Sequence, residues 1–419
     1  MRRRTFSLLA ALALAGCGGS HHGGSSPSAS QSYASGVKSL GSAFTGSGDR
    51  TASLKSAQSA FDRAYAKNPS DPRNAMGYAL STAALDATAL SDALTSKSTA
   101  RRLSAFGGLG ARLGAKGTNL AALLPALAAR PASRADGDAL ASLQADLRKI
   151  VDRLTTARVD ALETNPVILS TDEEDGVAVK IGTVEGYALR SAAEAALGLV
   201  DGALAYHTDE GSYDPDAAFL TRFATQAAAG TAITPAQYLP GGDYGTPTAQ
   251  AGTLLADLKV EWTGTADDGA TALARLDART GTGWLTDLSP LSDDDKASLS
   301  SSLALLKASL AGPTSVPVVL PDGTATTLTV NLAAVLASPP ADVRAFYPTI
   351  RPVPTPPSPD NTTTLLNLVS GSVADPTIGG LVPGGLPTPI LYGRTLNVDA
   401  DTTQGEVATW ASPLSALSG

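Results

Sequence analysis

The sequence predicts a mainly α-helical protein: a helical bundle or short helical-hairpin array, with two small β-hairpins and an irregular Pro/Gly-rich C-terminal segment. Three observations carry this. The apolar residues are mostly alanine and leucine and aromatics are only 5% of the chain, a composition that favours helix over sheet. Capping residues stand directly before proline at Asp71-Pro72, Asp214-Pro215, Thr234-Pro235 and Thr246-Pro247, the pairing that opens a helix. Leu140, Leu143, Leu147, Ile150 and Leu154 alternate three- and four-residue steps, which puts them on one helical seam.

At the N-terminus, Arg2, Arg3 and Arg4 precede an apolar run from Phe6 to Leu14, and small residues follow. This is the charge, core and cleavage pattern of a secretory signal. The run is too short to span a bilayer, which takes roughly 20 residues. Leu14-Ala15-Gly16-Cys17 resembles the bacterial lipobox. The resemblance implies cleavage before Cys17, a diacylglyceryl group on its sulfur and usually a third acyl chain on its amine, as in palmitate-bearing lipoproteins. Two or more chains make a durable membrane anchor. Gly18 follows, where aspartate would favour inner-membrane retention; the expectation is the outer membrane, if the host has one. Residues 18–33 are Gly/Ser-rich and read as a flexible tether. His21 and His22 lie inside it with no further ligands nearby, so they read as solvated.

The body is expected to comprise a helical domain over 34–165, a mainly helical domain over 166–345 and a Pro/Gly-rich segment over 346–419, after a signal over 1–16 and a lipidated tether over 17–33. Within the first, Ala57, Phe61, Ala64 and Pro69, followed by Tyr78 and Ala79, resemble the helical hairpin of a tetratricopeptide repeat. Ala75 stands where tryptophan is usual, and no further copy recurs at a 34-residue period. Because stacked repeats need roughly three copies, this hairpin reads as part of a larger bundle. The Leu140–Leu154 seam extends that bundle as a helix from about 138 to 163.

Val167-Ile168-Leu169 and Val177-Ala178-Val179 flank a polar turn and predict a hairpin. A helix follows from Thr183 to Tyr206, with Arg190, Glu194 and Asp201 on one face and Ala192, Ala196, Leu199 and Ala203 on the other. Gly198 and Gly202 would let a neighbouring backbone approach. Ser292 before Asp293, Asp294 and Asp295 opens another helix, with carboxylates at the positive end of its dipole. Val316–Leu320 and Thr326–Leu332 flank Pro321-Asp322-Gly323, a second hairpin. Five prolines over 349–360 and the glycines and prolines of 371–393 predict a spacer or irregular chain. Ser338-Pro-Pro-Ala-Asp-Val-Arg and Ala374-Asp-Pro-Thr-Ile-Gly-Gly are similar to segments of uncharacterised bacterial lipoproteins and secreted proteins.

Charge and composition exclude several kinds of chemistry. Removing residues 1–16 takes away only three arginines as charged groups, deepening the formal charge from −8 to −11. No basic cluster is left for nucleic-acid phosphates. Cys17 is the only cysteine, so neither a disulfide nor a cysteine metal site forms within the chain. Outside the tether the only histidine is His207, which reads as a satisfied residue at a core edge. Ser-His-Asp and Cys-His schemes are thereby nearly excluded. Ser35-Gly-Val-Lys38 matches S-x-x-K without a companion motif. Gly107, Gly108, Gly110, Gly114 and Gly117, with Lys116, fit no phosphate loop.

Asp172, Glu173, Glu174 and Asp175 read as a solvated turn, and Asp209, Glu210, Asp214 and Asp216 as a loop running into a helix start. Asn397, Asp399, Asp401 and Thr403 place oxygen side chains at alternate positions, the pattern a calcium loop needs. Gly405 and Glu406, however, do not complete an EF-hand. Trp262, Trp284, Trp410, Tyr238 and Tyr244 are expected at helix contacts, or, in the glycan reading, on a sugar-binding face.

The expectation is a non-enzymatic cell-envelope lipoprotein, held at the membrane through Cys17, that binds or scaffolds a protein partner. It needs no cofactor and binds no nucleic acid. The alternative is a surface lipoprotein that captures a nutrient such as a glycan. A carboxylate-based hydrolase ranks third and would require two acidic side chains to converge.

Overall fold

The computed structural model describes residues 27–45, 49–95, 134–170, 178–207, 216–239, 242–288, 290–320, 323–354, 366–399, 402 and 404–412. The signal-like segment, Cys17, both tether histidines, the 107–117 glycines with Lys116, and Asp172–Asp175 lie outside these residues. In chain order the helices are α1 (Ala29–Thr45), α2 (Arg50–Lys67), α3 (Pro72–Thr95), α4 (Arg134–Thr156), α5 (Thr183–Leu204), α6 (Asp216–Ala228), α7 (Pro235–Tyr238), α8 (Ala251–Ala278), α9 (Asp293–Ala311), α10 (Leu332–Ala337), α11 (Thr388–Leu391) and α12 (Gln404–Ala411). The strands are β1 (Val167–Ser170), β2 (Ala178–Ile181), β3 (Thr314–Val319), β4 (Ala325–Val330), β5 (Pro348–Pro354), β6 (Leu366–Val373) and β7 (Thr395–Val398). The protein is mainly α with small antiparallel sheets, as its composition and helix starts predict.

The chain divides into two units, one of residues 1–118, 142–197 and 261–303, the other of 119–141, 198–260 and 304–419. The segments 34–165 and 166–345 therefore each contribute to both.

In the first unit, α1 starts inside the segment read as tether. Ser28 explains this: its Oγ accepts from the Gln31 backbone N–H (3.2 Å), while the Ser28 N–H donates to Gln31 Oε1 (2.8 Å). This reciprocal box satisfies two of the N–H groups that a helix start leaves open. Asp49 caps α2 by accepting from Ala52 N, and Asp71-Pro72 opens α3 as expected. Ala57, Phe61, Ala64, Ala75 and Ala79 are buried completely. A Cβ added at Gly36 of α1 would lie 2.9 Å from the Phe61 ring, and one at Gly77 of α3 only 2.3 Å away. Glycine at both positions is what admits the ring, and Tyr33 meets it edge-on at 5.8 Å.

Helix α4 ends earlier than 163 because Arg158 takes a left-handed backbone (φ 54°). A 3₁₀ turn, Val159–Glu163, follows. Arg153 fastens α4 to the hairpin: its guanidinium lies 3.7 Å from the centre of the Tyr78 ring and 4.6 Å from that of Tyr65, and pairs with Asp62. Strands β1 and β2 form the expected hairpin, with Val167 opposite Ile181 and Ser170 opposite Ala178. Ser292 and Asp295 cap α9 reciprocally, as expected.

In the second unit, Thr234 and Gln237 form a capping box around Pro235. Thr246-Pro247, in contrast, opens no helix. Thr246 Oγ1 donates to Asp243 O (2.6 Å), Pro247 sits in a bridge to Tyr206, and α8 begins at Ala251. The threonine is spent on a turn. Asp214-Pro215 lies outside the described residues, immediately before α6. Strands β3 and β4 pair from Thr314↔Val330 to Val319↔Ala325, the second expected hairpin.

The C-terminal segment is more regular than its composition suggests. Its prolines and glycines enclose a three-stranded antiparallel sheet in the order β5-β6-β7. Ile350 N–H and C=O both bond Ile233, at 2.9 and 2.7 Å, so Ile350 faces away from β6. By strand alternation Pro352 and Pro354 have the same outward orientation, where a missing N–H costs the ladder nothing. Phe223, Ile233, Tyr238, Tyr347, Ile350 and Leu368 form the centre of the associated core.

Between β6 and α11 the chain folds around Asp375. Its Oδ1 accepts from Thr377 N (2.9 Å) and Oγ1 (2.6 Å), and its Oδ2 from Gly379 N (2.8 Å). These bonds hold buried Ile378 at φ 52°, a conformation that β-branched residues rarely adopt. Burial pushes the Asp375 carboxyl up, but the bonds from Thr377 and Gly379 together bring it below its ordinary value. Asp375→Ala should therefore destabilise the protein by roughly 1.5–3 kcal/mol, read from the urea midpoint at pH 7. Because the native carboxyl is depressed, the wild-type advantage should fade as pH falls through the ordinary aspartate range.

Candidate functional site

Arg190 and Glu194 share one face of α5, opposite Ala192, Ala196, Leu199 and Ala203. The structure turns the charged face inward: Glu194 is 8% exposed and Asp201 fully buried, whereas on the opposite face Ala192 is exposed and Leu199 buried. The reason is α8, which brings a partner for the charge and room for the carboxyl. Arg190 Nε and Nη2 grip both oxygens of Asp268, itself 6% exposed. A Cβ at Gly264 would stand 2.7 Å from the Glu194 carboxyl, so only glycine lets that carboxyl in. Ser191 Oγ donates to Thr265 O (2.9 Å), and Trp262 Nε1 to Ala195 O (3.4 Å). Burial, reinforced by the Asp268 charge and opposed by Arg190, pushes Glu194 up to about 8. The hydrogen bond to Asp268 holds Arg190 firmly charged.

A second buried ion pair lies at the start of α5. Arg279 Nη1 and Nη2 bond Glu185 Oε1 and Oε2 at 2.8 and 3.0 Å. Gly182 N (2.8 Å) and Thr286 N and Oγ1 (3.3 and 3.0 Å) complete the shell. Burial pushes Glu185 up, but the bonds from Arg279 and Gly182 hold it below its usual value. The guanidinium stacks over Trp284 at 4.1 Å. With five donors, Glu185 has no acceptor capacity left for a ligand. A third carboxyl, Asp86 on α3, is pushed up to about 7 by burial and by Asp146 on α4.

Chemically, the first cluster can hold and release a proton, while the second can only hold structure. Two acidic side chains do converge at Glu194 and Asp268, and Arg190 occupies both oxygens of Asp268. The sequence shows Arg190 and Glu194 as an i,i+4 pair, which usually means an exposed salt bridge. Nothing local announces Asp268, 78 residues beyond Arg190. The four-residue spacing of Gly264 and Asp268, opposite that of Arg190 and Glu194, is the signal available in retrospect.

The calcium candidate is not assembled among the described residues. Asn397 sits in β7 opposite Asn367, and Asp399 Oδ1 accepts from Thr402 Oγ1 (2.8 Å) in the turn before α12. Asp401 and Thr403 lie outside those residues. Among the described residues no group of three or more His, Cys, Asp or Glu is placed to hold a metal, and no helix is long and apolar enough to cross a membrane. Trp262, Trp284, Tyr238 and Tyr244 are at most 7% exposed and Trp410 is half-buried, below Arg394; these rings pack rather than form a sugar platform. His207 is half-buried, and its backbone bonds Thr246 and Gly245. Ser35 and Lys38 lie exposed on α1. Asp209, Glu210 and Asp214 lie outside the described residues, as does the Asp216 side chain.

No protein-family model, curated protein or solved structure matches this chain.

Proposed function

We propose that this chain is a lipid-anchored protein of a bacterial cell envelope, of the outer membrane where the host has one, and that it acts by holding a protein partner rather than by catalysis. The observation that carries the reading is Leu14-Ala15-Gly16-Cys17 behind a basic and apolar leader. Two structural features support the non-catalytic part. Glu185 and Asp268 are committed to Arg279 and Arg190, and Trp262, Trp284, Tyr238 and Tyr244, four of the five aromatic candidates for a sugar face, are buried. The second feature weighs against glycan capture, the alternative reading.

Metabolic labelling with a fatty-acid analogue should mark the wild-type chain in the membrane fraction. Cys17→Ala should lose the label and either leave the membranes or accumulate as precursor. Unlabelled wild type, or a labelled and retained variant, would overturn the anchor. Affinity purification after cross-linking in intact cells should return one recurrent protein partner; repeated recovery of the chain alone would count against the binding role.

A further inference from the structure

The cluster on α5 and α8 places two carboxyls and one guanidinium in one buried spot. Arg190 spends itself on Asp268, engaging Oδ2 through Nε and Oδ1 through Nη2. Glu194 is left without a cation of its own, and its Oε2 has no hydrogen-bond partner. The carboxyl packs against Gly264, where a Cβ would stand 2.7 Å from it. Other ionisable groups on α5, α8 and α9 add negative charge or are engaged elsewhere. Asp267, beside Asp268 on α8, adds a further negative charge. Tyr187, one turn before Arg190, donates its hydroxyl to Asp160. Lys296 on α9 is taken by Asp277 and Asp293.

A buried site with two carboxylates and one cation is one positive charge short, and a proton is the smallest thing that supplies it. We propose that Glu194 carries a proton where it meets Asp268, and that this proton lets α5 and α8 pack, making the first unit a pH-dependent latch that is tight in acid and loosens toward alkaline solution. The direction follows from linkage. Glu194 rises from an ordinary 4.5 to about 8 in the folded chain. The folded state therefore binds a proton that the unfolded state releases. The stabilisation is complete below about 4.5 and is lost as pH climbs to about 8. Asp86, pushed up to about 7, acts in the same sense, so the two must be separated.

The test is urea unfolding of the full chain at unit steps from pH 5 to 9, followed by the fluorescence of buried Trp262, whose indole bonds the residue next to Glu194. One differentially bound proton lowers the folding equilibrium constant by up to about tenfold per pH unit. Glu194→Gln keeps the shape of the protonated form and can donate to Asp268, so its slope should be shallower by up to that factor and its stability at pH 8 higher than wild type. Asp86→Asn should retain the Glu194 part of the slope. Equal slopes in wild type and Glu194→Gln would overturn the latch. Should Glu194→Gln not fold, the infrared spectrum of Asp86→Asn decides. A protonated-carboxyl band that disappears as pH passes about 8 supports the proton on Glu194, and its absence at pH 6 overturns it.

Discussion

Replacing Arg279 with alanine is expected to cost about 3–5 kcal/mol, because it strands Glu185, 2% exposed, without its counter-charge. The loss is larger than that of a surface pair, whose median is about 0–1 kcal/mol. Water cannot replace the two N–H bonds that the guanidinium makes, and Trp284 loses the plane stacked on it. Gly182 N and Thr286 would still bond the carboxylate, yet neither carries charge. The penalty should also depend on pH. At pH 7 the variant must bury a bare carboxylate or protonate it, whereas the wild type keeps its paired carboxylate until pH falls below the ordinary glutamate value of 4.5 and through its own depressed one. The difference in urea midpoint should therefore shrink as pH falls. A penalty under about 1 kcal/mol at pH 7 would show that Glu185 reaches water.

Phe61→Ala should be comparably severe, at roughly 3–5 kcal/mol. Phe61 has no exposed surface and is enclosed by α1, α2 and α3. Gly36 and Gly77 have no side chains that could swing into the vacated volume, so the cavity cannot collapse cheaply. Tyr33 loses its edge-on ring contact as well. Thermal and urea unfolding should both register the change without a large change in the urea m-value. A loss below about 1 kcal/mol would mean that α1 closes over the hole.

These two sites differ in how plainly the sequence shows them. Phe61 stands among Ala57, Ala64 and Ala79 at spacings that already resemble a helical hairpin, because the interactions that place it are local or lie one turn of chain away. The same holds for Asp71-Pro72, Thr234-Pro235 and Ser292-Asp295, where a cap and its helix are neighbours in sequence. Glu185 and Glu194 read as ordinary helix charges. Their partners Arg279 and Asp268 are 94 and 74 residues away, and helical periodicity cannot say that a polar face is the inner one. Thr246-Pro247 misleads for the opposite reason: its hydroxyl can bond either an N–H ahead or Asp243 O behind, and only the surrounding turn decides. The sheet of β5, β6 and β7 hides behind its prolines, since composition does not reveal on which side of a strand each N–H points.

Sheets with a bare margin invite strands from other molecules, the usual first step of aggregation. Here the margin of β5 is partly used by Ile233, and beyond it Pro352 and Pro354 offer no N–H to an incoming strand. Along this margin, copies of the chain pressed together find no ladder to extend.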